Sequence, residues 1–393
     1  MRYTYKHTLR ACYLGYITQA IVNNLAPLLF IIFQTQYQIS FEEIGRLIFI
    51  NFGTQIVVDL LAVKYVDRIG YRKAAIAAHI FCSLGLIGLG VLPIMMPTPY
   101  MGLVLAVMIY AVGGGIIEVL ISPIVEFLPG EEKASAMSLL HSFYCWGQVA
   151  VVILTTLLLK GIGDFYWFIL PILWAVIPLY NIKNFLKVPI IEPHEEMQTM
   201  GIKTLLSSRG FIVALTLMLC AGASELTMSQ WSSLFAEKGL EVPKLVGDLL
   251  GPCLFAALMG IGRSIYGVWG HKMNLKYILI ASGVLCILCY LVTIFIQNPF
   301  ISLLGCAVTG LAVSLMWPGT FSLASAAYPL GGTAMFGILA VFGDMGAALG
   351  PWLAGVSSDL IGRGLKPGLL VAMIFPILFV IGAILLNKLH KTS

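Results

Sequence analysis

Asp67-Arg68-Ile69-Gly70-Tyr71-Arg72-Lys73 joins two long apolar runs, near residues 43–63 and 73–94. Each run is long enough to cross the roughly 30 Å of hydrocarbon in a bilayer, which takes about 20 mostly apolar residues in a helix. The seven residues between them carry one acid, three bases and a glycine. Asp67 ends the first run, where its charge can be held by the next helix N-terminus or by a cation. Arg68, Arg72 and Lys73 would lie on the cytoplasmic side, since basic residues concentrate in cytoplasmic loops. Such a loop can anchor a membrane hairpin, and its bases can also pair with acids on helices that move. Asp67, Arg68 and Arg72 are therefore candidate gating residues.

The rest of the chain repeats this pattern. Only 10% of the 393 residues are charged and 59% are hydrophobic, with a mean hydropathy of +0.95. Soluble domains carry about 25% charged residues, so the main solvent of this chain is lipid. Further apolar runs lie near 9–33, 98–124, 134–159, 164–186, 209–236, 246–269, 276–297, 299–325, 332–358 and 367–389. These are expected to be helices, because isolated strands leave backbone groups unpaired in lipid. The alternation of a membrane barrel is absent. The expectation is an all-α membrane protein of twelve transmembrane helices. The first run follows Arg2, Lys6 and Arg10 but is too long for a signal peptide and lacks a cleavage site, so it reads as a retained helix.

Charge sets the orientation. With the N-terminus inside, sixteen of the 23 lysines and arginines fall in inner segments, six in outer ones, and Arg263 stays within a span. Both termini are therefore expected in the cytoplasm. The net charge of +5 reports topology and is no argument for a nucleic-acid partner. Short termini and loops suit a bacterial cytoplasmic (inner) membrane. All eight cysteines fall inside predicted spans, and the Cys286-x-x-Cys289 pair lies in an apolar run without other ligands, so neither a disulfide nor a metal site is expected.

The longest polar connection divides the chain into six-helix halves, residues 1–186 and 209–393, joined by a cytoplasmic linker at 187–208. A weak repeat supports the division: His271-Lys272-Met273-Asn274-Leu275-Lys276 follows the eighth span as the first basic loop follows the second. Transporters are commonly built from such repeats, with substrate held near the membrane midplane.

Three stretches resemble the major facilitator superfamily, and within it the fucose permease group of sugar–proton symporters. They are Asn23-Asn24-Leu25, Glu118-Val119-Leu120-Ile121-Ser122-Pro123, and Ser314-Leu315-Met316-Trp317-Pro318-Gly319-Thr320-Phe321-Ser322-Leu323. Gly350-Pro351-Trp352 and Ser358-Asp359 fit the same pattern. The resemblance implies a major facilitator fold and sugar transport. It places Glu118 at the group's proton-coupling glutamate, and His141 and Tyr144 at positions that contact sugar. The group also has an aspartate in the first helix, where this chain has Pro27. A mechanism with two carboxylates does not carry over whole: Glu118 acts alone, another acid has taken the second role, or the protein is a facilitator.

Ionisable groups within spans are costly and mark function by default. Asp59, Glu118, Glu225, Arg263 and Asp344 qualify. Glu118 follows Gly113-Gly114-Gly115, where a neighbouring helix can pack closely. An apolar setting favours the neutral acid, which suits proton uptake and release; the alternative is an acid paired for structure alone. On the fifth helix His141, Tyr144, Cys145 and Gln148 share one face, expected to line a cavity or bond another helix. Tyr16, Gln19 and Asn23 follow a similar spacing on the first helix, with Asn24 beside them; amides both donate and accept, which suits a hydroxyl-rich ligand. Glu225, Ser229, Gln230 and Trp231 form the matching cluster on the seventh. Trp317 either offers an apolar face to a sugar ring or anchors the helix at the interface. Asn51, Gln55 and Asp59 share a face of the second helix expected to meet the other half, with Arg263 or a loop cation as a partner for Asp59. Asp59 and Arg263 join the gating candidates.

The preferred function is proton-coupled transport of a sugar or similar polyhydroxylated solute. The alternatives are a facilitator, a drug or metabolite efflux pump with a broader apolar pocket, and a non-transporting membrane receptor. No phosphate loop, nucleophile constellation or metal-ligand cluster supports an enzyme, and no cofactor is expected.

Overall fold

A computed structural model describes residues 3–126, 128, 133–191, 202–269, 274–328, 331–362 and 364–392. The polar part of the linker and the His271-Lys272-Met273 loop lie outside these residues, as do the side chains of Asp67 and Arg68. The described residues are helical, with no strand among them. Among the described residues eleven helices are long and apolar enough to cross a membrane, and they fall where the sequence places the spans. The sixth expected span is the shorter apolar stretch Ile169–Phe185. It is broken into α7 (Ile169–Trp174) and α8 (Val176–Phe185). Pro178 has no N–H to give the carbonyl of Trp174 four residues earlier, so a helical bond is missing at the break.

The chain forms two compact units. The first comprises Met1–Ile39 and Ile50–Glu195. It contains α1 (Tyr5–Asn24), α2 (Phe30–Tyr37), most of α3 (Phe41–Ile69), α4 (Tyr71–Met95), α5 (Pro99–Glu126), α6 (Lys133–Ile162), α7 and α8. Within it α5 presses on α4: a Cβ on Gly113 would lie 2.4 Å from the Ala78 carbonyl oxygen. Large apolar side chains such as Leu60, Leu84, Met101 and Leu157 are exposed on its outside. In water that would be an aggregating surface; in a bilayer it is the lipid-facing one.

The second unit comprises Ser40–Phe49 and Glu196–Ser393. It holds α9 (Ile202–Ser207), α10 (Arg209–Leu234), α11 (Lys244–Asp248), α12 (Leu254–Trp269), α13 (Leu275–Phe295), α14 (Pro299–Val313), α15 (Met316–Ala327), α16 (Gly332–Ile361), α17 (Lys366–Ala372) and α18 (Ile374–Thr392). Here α10 and α16 pack closely: a Cβ on Gly346 would meet the Leu219 carbonyl oxygen at 1.9 Å. Small residues let two backbones approach in this way, and dispersion contacts then hold them without a hydrophobic driving force. The start of α3, which belongs to this unit, is capped reciprocally. Ser40 N donates to Glu43 Oε2 at 2.9 Å, and Glu43 N to Ser40 Oγ at 3.1 Å. Asp359 adds a carboxylate to the same helix start, accepting from Glu42 N at 2.5 Å, where a negative charge is favoured.

Candidate functional site

In the first unit α1, α3 and α5 bring five polar side chains into one network, four of them buried and Glu118 half-buried. Glu118 Oε2 accepts from Gln19 Nε2 at 3.2 Å. Gln19 Nε2 also donates to Gln55 Oε1 at 3.0 Å. Gln55 Nε2 and Asn51 Nδ2 then both donate to Asn23 Oδ1, at 3.0 and 3.2 Å. Amides can build such a chain because each carries donors and an acceptor at one end of one side chain. The glycines of α5 make room for it. Cβ atoms on Gly114 and Gly115 would lie 3.3 Å from Gln55 Oε1 and 2.9 Å from Asp59 Oδ1.

This arrangement corrects one expectation. Asn51 and Gln55 bond α1 inside the first unit, and Asp59 is buried against Gly115 of α5. Helical spacing identifies the face but not the neighbour it meets.

The first unit also has a polar face on α6. Tyr144 OH receives Asn24 Nδ2 at 3.3 Å. Asn24 Nδ2 donates as well to its own helix, at Ala20 O. Tyr16 hydrogen-bonds Ser122 Oγ at 2.8 Å and meets the His141 ring edge-on with centroids 5.2 Å apart. His141 is exposed, Tyr144 half-buried and Gln148 buried. The exposed apolar residues Trp146, Leu154 and Leu157 mark the lipid-facing side of α6. At about 100° per residue His141 lies about 140° around the helix from Trp146. Its exposure is therefore not to the lipid facing Trp146, which suits a water-accessible surface.

Arg72 has backbone partners at the end of α8. It donates to Phe185 O at 2.6 Å and Val188 O at 2.7 Å, rather than to an acid. The last carbonyls of α8 have no helical partner, and a cation is favoured at that end.

In the second unit Glu225 of α10 pairs with Arg263 of α12 at 3.7 Å. Arg263 therefore has an acid other than Asp59 as its partner. Arg263 Nε also donates to the Ser314 carbonyl at 3.4 Å. That carbonyl is free for a local reason: Pro318, four residues on, has no N–H to give it. The helix breaks there, between α14 and α15. Ser229 and Gln230 are buried beside Glu225. Trp231 is fully buried, and its indole N–H donates to Pro351 O at 3.0 Å. Its packing against Phe41 completes a structural setting, not an open binding face. Trp317 is half-buried and packs over Gly343, with its edge toward Phe321. Asp344 is buried next to that glycine. A groove of about 260 Å³ lined by Gly262, Tyr266, Leu285 and Leu315 takes in none of the candidate residues. No cluster of metal-ligating side chains occurs among the described residues.

Apolar spans on this scale, carrying buried acids and amides, define a multi-pass membrane protein. The chain belongs to the Major Facilitator Superfamily, whose profile matches residues 12–351. It shares its fold with the fucose:proton symporter FucP of E. coli at 16% identity and a TM-score of 0.67, over 98% of this chain and 99% of that one. FucP in the outward conformation gives a TM-score of 0.65 at 16% identity, over 96% and 98%. A D-xylose–proton symporter gives 0.75 at 13% identity, over 97% and 95%. No curated protein sequence matches this chain.

Proposed function

We propose that the chain carries a sugar or similar polyhydroxylated solute by alternating access, in symport with protons taken up by Glu118. The observation that carries this reading is the network on α1. The same helix holds Gln19 on Glu118 and, one turn on, Asn23 and Asn24 beside Tyr144 of α6. An acid able to exchange a proton is thus bonded to the helix whose buried amides reach Tyr144, on the same face of α6 as the exposed His141. In the first unit Asn24, His141, Tyr144 and Gln148 are the proposed solute contacts, with Asn23 and Gln19 behind them. In the second unit they are Gln230 and Trp317, with Glu225 and Arg263 as a charged pair beside them. Asp59, Asp67, Arg68 and Arg72 are assigned to gating. The proposed setting is a bacterial inner membrane with both termini in the cytoplasm, and a linker at 187–208 between six-helix halves.

The fold neighbours named for fucose and xylose support starting with those two sugars. Purified protein in proteoliposomes would be given an inward proton gradient and a panel of radiolabelled sugars, fucose and xylose first. Gradient-dependent uptake of one of them is the expected result. No sugar uptake, with export of hydrophobic cations, would overturn the reading in favour of efflux.

A further inference from the structure

Gln19 is buried, and both of its amide hydrogens are engaged: Nε2 donates to Glu118 Oε2 at 3.2 Å and to Gln55 Oε1 at 3.0 Å. Its oxygen is in a different state. Gln19 Oε1 is buried and receives no hydrogen bond from the described residues. A buried acceptor left without a donor is costly, and native structures avoid it unless it has a use.

Geometry says where that oxygen points. Gln19 Oε1 lies 3.1 Å from the place a Cβ would take on Gly114. Gly114 stands one turn before Glu118 on the same face of α5. A helical side chain leans back over the turn that precedes it. The Glu118 carboxyl and the empty oxygen of Gln19 therefore converge over the surface that Gly114 leaves open. A carboxylate offers only acceptors, so in the ionised state it takes Gln19 Nε2 and leaves Oε1 bare. A protonated carboxyl carries one donor, and Oε1 is the bare acceptor beside it.

We propose that Gln19 is the second member of the proton site, bonding Glu118 in both of its states: Nε2 donates to the carboxylate, and Oε1 accepts from the protonated acid. This rests on Glu118 being the coupling acid. The proton comes from water and forms the O–H bond on Glu118; no bond of Gln19 forms or breaks. On release the O–H bond of Glu118 breaks, the proton returns to water, and Oε1 is bare again. An amide thus partners the acid without titrating, in a chain whose first helix carries Pro27.

The pair is tied to the surface beyond it. The second N–H of Gln19 holds Gln55, and Gln55 Nε2 holds Asn23 Oδ1, next to Asn24. Closing the acid–amide pair moves the amide at the head of that chain. The ionisable groups that meet the glycine face of α5 and the helix facing it include Asp59 against Gly115, Cys82 against Gly113, and His79 near Gly15 of α1. Tyr16 lies on Ser122, His141 on Tyr16, and Tyr144 on Asn24.

The test reads the amide directly and needs no sugar. Full-length protein would be synthesised cell-free with glutamine carrying carbon-13 at its side-chain amide, then reconstituted. Infrared difference spectra between acid and alkaline pH would be compared across variants. The expected result is a neutral-carboxyl band that Glu118→Gln removes, accompanied by a labelled-glutamine band that is lost in both Glu118→Gln and Gln19→Met. Gln19→Glu keeps the shape of the side chain and must lose the labelled band too, which covers a failure of Gln19→Met to fold. A carboxyl band without the glutamine band, or a glutamine band that survives both Gln19 substitutions, overturns the proposal and leaves Glu118 as the proton acceptor. Absence of any Glu118-dependent carboxyl band overturns the proton reading and this proposal together.

Discussion

Glu118→Gln should convert the transporter from an accumulating carrier into an exchanger. The introduced amide has the size of the acid and can turn its oxygen toward Gln19 Nε2, preserving the 3.2 Å contact without a charge. The packing over Gly114 is unaltered, so the variant should fold and bind solute. It can no longer take up and release a proton. One pH unit is worth about 1.4 kcal/mol per proton, which is a factor of about ten. With the membrane potential clamped at zero and one proton moved per solute, a gradient of one unit supports up to about tenfold accumulation. The expected ratio in Glu118→Gln is about one, the value set by the solute gradient alone. Exchange of labelled for unlabelled solute should persist, because it needs the loaded carrier to reorient but no net proton movement. Both assays belong on one reconstituted preparation, with binding measured separately. Several-fold accumulation retained by Glu118→Gln would refute the coupling role. Loss of binding, accumulation and exchange together would place Glu118 in solute contact or in folding.

Asn24→Ala and Gln230→Ala should each weaken solute affinity by roughly 2- to 13-fold, the loss of one net hydrogen bond of about 0.5–1.5 kcal/mol; unchanged binding in both purified variants would remove these helices from the site. Gly346→Ala should lower the melting temperature in detergent, since its Cβ would start 1.9 Å from the Leu219 carbonyl and overpacking costs about 1–3 kcal/mol. An unchanged melting curve would contradict the close approach of α10 and α16. Arg263→Leu should destabilise the protein by leaving Glu225 partly buried without its cation; adding Glu225→Gln should recover part of the loss, and a double variant no more stable than Arg263→Leu would argue against the pair. Cysteines introduced at Ser207 and Pro97 should react with impermeant maleimide from the cytoplasmic and outer sides respectively. The background is low because the eight native cysteines are buried, and opposite labelling would reverse the assigned orientation.

The architecture is legible in the sequence because lipid leaves so few choices. Long apolar runs must satisfy their backbones internally, and eleven of the expected spans fall on helices of sufficient length and apolarity. The sixth is the instructive exception: its two prolines, Pro171 and Pro178, lie in an apolar run that composition reads as continuous. Faces are legible too, but partners are not. Asn51 and Gln55 share a helix face by spacing, yet nothing in that spacing says that Asn23 lies opposite. Trp231 shows the same limit. It belongs by sequence to a polar cluster, but its N–H is already committed to the Pro351 carbonyl, far along the chain. The Glu118–Gln19 contact also depends on a residue with no side chain. Gly114 was visible only as part of a packing motif, although its missing Cβ is what admits the amide.

Proline and the polar residue four positions before it show how the two units expose backbone to chemistry inside a membrane. Pro318 cannot donate to the Ser314 carbonyl, and Arg263 takes that acceptor at 3.4 Å while also pairing with Glu225. In the first unit Pro27 stands four residues after Asn23, so the α-helical bond to the Asn23 carbonyl cannot form. There α1 ends at Asn24 and gives way to a 3-10 turn at Ala26–Leu29. Interrupted helices are tolerated at membrane depth only where other groups satisfy the freed backbone or water reaches it. Each break therefore requires polar neighbours, and each has them: Arg263 at the second, the amides of Asn23 and Asn24 at the first. Pro27 thus has two consequences in one position. It cannot ionise, and it removes the α-helical donor to the Asn23 carbonyl, beside the amide chain that ends on Glu118. In the proposed symport the first helix offers only backbone and amide groups here, which donate or accept but never hold a proton, so the proton is left to Glu118.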